Sequence, residues 1–243
     1  MKTKLLEINN NRGIFVDKAS KKIAIMIGGF ERATTTEKKF KELADKVLIS
    51  SFRFDYSGIG LSDGDFRNMT VHSMQEELKG VIKNIGKNNK EIIIVSHSLS
   101  ACVITEMDFY KKVFISPAFN QKELLRYYFT LSKWKGDKKI DWDNYRDYFN
   151  EKNFLEDCMK EGKMTKSNFI SSGYFMENKD KDYSAFIKDS DHVLYIHGDK
   201  DEKVPMGSIN MNFSNSIIVK DGDHDLERPD MMNQWIKKVV EFI

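Results

Sequence analysis

The sequence predicts an α/β protein with a mostly parallel central sheet, helices on both faces, and a helical cap inserted late in the chain. Three observations carry this. Apolar runs at 22–30, 47–55, 112–117, 192–198 and 216–220 alternate with amphipathic segments over short loops, the pattern of parallel strands covered on both sides. At 92–96 the run Ile-Ile-Ile-Val-Ser is unbroken, as suits a buried strand, and it passes into a helical pattern with no loop between. The rhythm then stops at Pro117 and resumes at His192.

Taken in order, residues 3–17 predict two short strands around the polar turn 9–13. The strand at 22–27 runs into the glycine pair Gly28-Gly29. Thr34, Thr35, Thr36 and Glu37 are candidates to cap the next helix, whose inner face carries Phe40, Leu43 and Ala44. A strand over 47–55, a loop at 56–64 and a helix over 70–85 lead to the stretch 91–101, with an amphipathic segment, 102–107, behind it. The last strand falls at 216–220 and the last helix at 231–242. Residues 1–118 and 191–243 are thus expected to form the core. Residues 119–190 form the cap, crowded with aromatics such as Tyr128, Phe129, Trp134, Trp142, Phe154, Tyr174 and Phe175. Most of these are expected to pack the cap, with some lining a site beneath it.

The 243 residues lie at the upper end of what one core holds. Lysine and arginine number 39 against 37 acidic residues, so a net charge of +2 gives no ground for a nucleic-acid or anionic-membrane partner. No apolar run approaches the ~20 residues of a membrane span, and the amino terminus lacks the apolar stretch of a signal peptide. Cys102 and Cys158 have no metal-ligand spacing and are expected to be structural thiols. A cytoplasmic protein without stable membrane insertion is the expectation; nothing in the sequence sets its oligomeric state.

A strand that turns straight into a helix needs small residues on either side of a pivot, held in a strained conformation that lifts its side chain above the sheet. Ser96, Ser98, Ser100 and Ala101 supply the small residues, and Ser98 is the pivot. A serine that merely caps the helix fits the same stretch. Gly58-Ile59-Gly60 lacks the third glycine of a dinucleotide fingerprint, with Asp63 in its place.

The stretch 96–100, Ser-His-Ser-Leu-Ser, resembles the nucleophile elbow of the α/β-hydrolase family, G-x-S-x-G, with serine for both glycines. Residues 55–62 resemble the family's D-x-x-G-x-G-x-S loop, in which Asp55 organises backbone. Residues 198–205 match its G-x-x-D-x-x-V-P pattern, and Asp223-His224-Asp225 matches the position of its catalytic histidine. Alone, Asp201 fits a turn and His224 a surface loop; together the four features stand in the family's Ser…Asp…His order. Of the five histidines only His224 follows Asp201, which sets His72, His97, His192 and His197 aside. The resemblance implies Ser98 as nucleophile, His224 as base and Asp201 as its orienter. It also implies an oxyanion hole from the backbone N–H groups of Phe30 and Leu99. The family usually has His-Gly where this chain has Gly28-Gly29.

The implied activity is a serine hydrolase of small carboxylic esters, working through an acyl-enzyme with no metal or organic cofactor. Small esterases with a cap, feruloyl and other acyl esterases among them, are the nearest in shape. Thioesterase, lipase and acyltransferase chemistry use the same groups, and a non-catalytic binding protein on the same fold is the alternative of a different class.

Overall fold

The structure, a computed structural model, describes residues 2–85 and 91–243. Strands β1 (Lys2–Ile8) and β2 (Asn11–Asp17) form a hairpin whose turn is shorter than the expected 9–13. Asn9 takes the left-handed conformation (φ 56°) that lets two residues reverse the chain. Next come β3 (Lys22–Ile27), β4 (Ser50–Phe54), β5 (Glu91–His97) and β6 (Lys111–Ile115). β7 (Lys163–Met164) and β8 (Phe169–Ile170) make a separate small ribbon. β9 (Val193–Gly198) and β10 (Ser216–Val219) complete the main sheet.

Its order is β1-β2-β4-β3-β5-β6-β9-β10, with β1, β2 and β4 antiparallel in pairs and every later pairing parallel. The period of two along β3 decides the two cores. Ile23, Ile25 and Ile27 join Phe52, Phe54 and Ile94 under α2 (Val71–Ile85), which presents Met74, Leu78 and Val81. Ala24 and Met26 join Val95, Val113 and Ile115 on the opposite face. There α1 (Lys38–Lys46) inserts Phe40 and Leu43, and α7 (Pro229–Phe242) inserts Met231, Trp235 and Ile236. Each fully buried Val, Leu, Ile, Phe or Met among them contributes about 1.5–3 kcal/mol of apolar stabilisation.

Two expectations change. No threonine caps α1: Glu37 stands at its N-cap without a capping bond, because the threonines are engaged elsewhere. Thr34 accepts the Gly28 N–H at 2.7 Å, and Thr35 donates to Asp55 at 2.6 Å. The helix behind the elbow, α3 (Ser100–Val103), is a single turn, not an amphipathic helix over 102–107. The β-branched run Val103-Ile104-Thr105 propagates a helix poorly, and the Thr105 hydroxyl donates to the Cys102 carbonyl at 3.1 Å, which closes the turn.

Between β6 and β9 the chain forms α4 (Gln121–Lys133), α5 (Glu151–Cys158), the β7–β8 ribbon and α6 (Ser172–Asn178). No helix among the described residues is long and apolar enough to cross a membrane. Because β3 pairs with β5 and runs parallel to it, the loop after β3 emerges beside the elbow after β5. The loops after β9 and β10 leave the same edge of the sheet, the edge at which α/β folds bind ligands.

Candidate active site

Ser98 stands at φ 57°, in the left-handed region a non-glycine residue rarely adopts, as its place between β5 and α3 demands. Its Oγ lies 3.0 Å from His224 Nε2, and His224 Nδ1 lies 2.8 Å from Asp201 Oδ2. All three residues are at least nine-tenths buried. Since an ionised carboxylate only accepts, His224 Nδ1 carries the proton and Nε2 is free to accept from the serine hydroxyl.

Asp201 is held from two sides. Oδ1 accepts the backbone N–H groups of Lys203 (2.9 Å) and Val204 (2.8 Å), and Oδ2 faces His224 and, at 3.2 Å, His197 Nε2. Burial by itself pushes its pKa up, but hydrogen bonds from His197 and His224 outweigh that and bring it down to about 2. Asp199, two residues before Asp201, is exposed and accepts the Gly222 N–H at 3.2 Å, away from the imidazole.

The two serines that replace the elbow glycines have partners. Ser96 Oγ lies 3.3 Å from the Val113 carbonyl, and the Ser100 hydroxyl donates to the Gly28 carbonyl, tying the elbow to the loop after β3. That loop lies so close that a Cβ on Gly29 would sit 2.8 Å from Ser98 Cβ. A Cβ on Gly28 would sit 2.8 Å from Thr34 Oγ1 and 2.9 Å from Glu37 Oε2, so a side chain where the hydrolase family usually has histidine would have to displace both. Among the described residues no protein acceptor answers the N–H of Phe30 or of Leu99. Asp55, fully buried, accepts from Thr35 and from the Leu61 N–H (2.9 Å), which makes it an organiser of backbone.

Sequence order set His97 and His197 aside, yet both reach the site. His97 Nε2 donates to the His224 carbonyl at 2.9 Å, and its ring packs 4.8 Å from that of His224. Burial, with Lys39 nearby, holds its pKa well below the usual histidine range, so it is neutral. Behind it Glu37 binds Arg32 (3.0 Å) and the fully buried Lys39 (2.7 Å), while Lys39 also reaches Glu227 (3.3 Å). This cluster joins α1 and the loop after β3 to the His224 loop. His97 and Glu227 lie too far along the chain from Arg32, Glu37 and Lys39 for any local pattern to link them.

Ser98 and His224 open into a cavity of about 470 Å³. Its far walls are Leu125, Phe129, Phe154, Met164, Tyr174 and Phe175, all from 119–190. Trp134 and Trp142 do not line it. Trp142 packs against Tyr127 and Tyr145, and Trp134 against Tyr148.

No protein-family model and no curated protein matches this chain. Solved structures do. Est1E from Butyrivibrio proteoclasticus, in a structure with ferulic acid bound, superposes with a TM-score of 0.71 at 17% identity, covering 98% of this chain and 97% of that one. A putative hydrolase from Agrobacterium vitis gives 0.67 at 20% identity over 100% and 98% of the chains. A monoacylglycerol lipase from Paleococcus ferrophilus gives 0.63 at 13% identity over 100% and 98%. At such identities the likeness is one of fold.

Proposed function

On the premise that this chain has the α/β-hydrolase fold, we propose that it is a serine hydrolase of carboxylic esters. The observation that carries the proposal is the unbroken chain of hydrogen bonds from Ser98 through His224 to Asp201, with Ser98 at the strained pivot. The similar structures include one named as a putative hydrolase and one as a monoacylglycerol lipase, which supports the reaction class.

In the mechanism Ser98 Oγ attacks the acyl carbon as its proton passes to His224 Nε2. Asp201 stabilises the imidazolium and keeps its orientation. The Phe30 and Leu99 N–H groups face the developing oxyanion, and charge-assisted hydrogen bonds there supply a large part of the rate. His224 then gives its proton to the departing alcohol oxygen. Water, deprotonated by His224, attacks the acyl-enzyme; the proton returns to Ser98 and the acid leaves. Gly29 keeps the loop against the elbow. Gly29→Ala pushes it away and should lower kcat about 10²-fold while leaving KM for a small ester within a few-fold, measured by steady-state kinetics.

Residues 119–190 act as the cap that selects the acyl or alcohol group. Apolar walls around about 470 Å³ favour medium-length or aromatic acyl groups over acetate. One methylene is worth only ~1–3 kcal/mol, so the preference is graded. Phe129→Ala should shift relative kcat/KM toward bulkier acyl groups by about tenfold across an ester series, and Trp142→Ala should not. An equal loss for every ester in the Phe129 variant would place specificity elsewhere. The direct test of the reaction class is a fluorophosphonate probe, which labels an activated serine: it should modify the wild-type protein and not Ser98→Ala. A wild-type protein left unlabelled supports the binding-protein alternative.

A further inference from the structure

We propose that His197 is a positioning residue for this relay, its Nε2–H gripping the same Asp201 oxygen that receives His224. The inference rests on the serine-hydrolase reading of the site. His197 is fully buried on β9, with Nε2 2.7 Å from the Val204 carbonyl and 3.2 Å from Asp201 Oδ2. Both neighbours only accept, so Nε2 carries the proton and shares it between them. Nδ1 lies 2.7 Å from the Tyr195 hydroxyl. Burial pushes the Tyr195 phenol up, so it stays a neutral donor and supplies its proton to Nδ1. Its ring is stacked on Phe213 at 4.7 Å and 7°, which fixes where the hydroxyl points. The tautomer of His197 is therefore set from one side by a phenol and from the other by two acceptors.

The consequence is geometric. Val204 gives its N–H to Asp201 Oδ1 and takes the His197 N–H on its carbonyl, so His197 braces the turn as well as the carboxylate. With His197 present, Oδ1 has its two backbone donors and Oδ2 has His224 Nδ1 at 2.8 Å with His197 Nε2 beside it at 3.2 Å. Without it, Oδ2 is held by His224 alone, and the carboxylate loses the restraint that aims it. Imidazole partners one step removed from the chemistry in metal sites cost 10–100-fold when removed, and the same order is expected here.

The test uses the full-length protein and three variants: His197→Leu, His197→Gln and Tyr195→Phe. Rates with a small neutral ester are taken per active site, counted by phosphonate labelling. His197→Leu should lose about 10–100-fold in kcat with KM within about twofold. His197→Gln, whose amide N–H reaches the same oxygen, should recover most of that loss, and Tyr195→Phe should lose only a few-fold. The low-field proton resonance of His224 Nδ1–H should move in the leucine variant and return toward its wild-type position in the glutamine variant. Leucine and glutamine variants with equal rates, or a resonance that leucine leaves in place, overturn the proposal and reduce His197 to core packing. The resonance requires no turnover. Should the wild-type protein resist labelling while leucine still moves the resonance, the hydrolase reading fails and the positioning of Asp201 stands.

Discussion

Ser98→Ala should lower kcat by about 10⁴–10⁶ with the fold and thermal midpoint nearly unchanged, read by ester turnover and by a melting curve. The loss is large because Ser98 Oγ is the only hydroxyl within reach of His224 Nε2 among the described hydrogen bonds. Ser96 and Ser100 flank it in sequence, but their hydroxyls face the Val113 and Gly28 carbonyls and are fully buried. The fold should tolerate the change because alanine is smaller and the strained pivot loses no packing partner. Persistent labelling of Ser98→Ala by a phosphonate would show that another nucleophile operates.

Asp201→Asn should cost about 10³–10⁴ in kcat, whereas Asp199→Asn should stay within a few-fold of wild type. The reason lies in the hydrogen bonds. Two backbone N–H groups claim one oxygen of Asp201, so asparagine keeps its carbonyl there and turns its NH₂ toward His224 Nδ1. His224 must then accept at Nδ1 and carry its proton on Nε2, the tautomer that cannot take the serine proton. A greater loss at Asp199 would reverse the assignment. The same carboxylate leaves a mark on stability. Its pKa is about 2 in the folded protein against ~3.9 in an unfolded chain, so it contributes about 2–3 kcal/mol above pH ~4. That contribution is lost as pH falls through 2. Denaturant titrations should show Asp201→Asn with a shallower fall in stability between pH ~4 and ~2. Asp201 stays ionised above that window.

Much of this protein is written locally. The alternation at Ile23–Ile27 and the unbroken 92–96 run specify strands covered on both faces, because a period of two and a period of 3.6 bury different residues. Ser98, Asp201 and His224 each stand just past a strand end, in the chain order that the hydrolase resemblance implies for nucleophile, orienter and base. Their meeting at 3.0 and 2.8 Å, however, follows from the order β3-β5-β6-β9-β10, which brings loops more than a hundred residues apart to one edge of the sheet. Tertiary structure alone decided the rest. Chain order discards His97 and His197, and only the packing of β5 and β9 beneath the His224 loop brings their N–H groups onto its carbonyl and onto Asp201. Ser100 reads as a poor substitute for glycine until the Gly28 carbonyl is found within reach of its hydroxyl. The aromatics of 119–190 divide in the same way: Phe129 and Phe175 face the cavity and Trp142 faces Tyr127. Helical spacing says which residues share a face, but which face meets the elbow depends on the docking of α4, α5 and α6, a long-range contact no local pattern encodes.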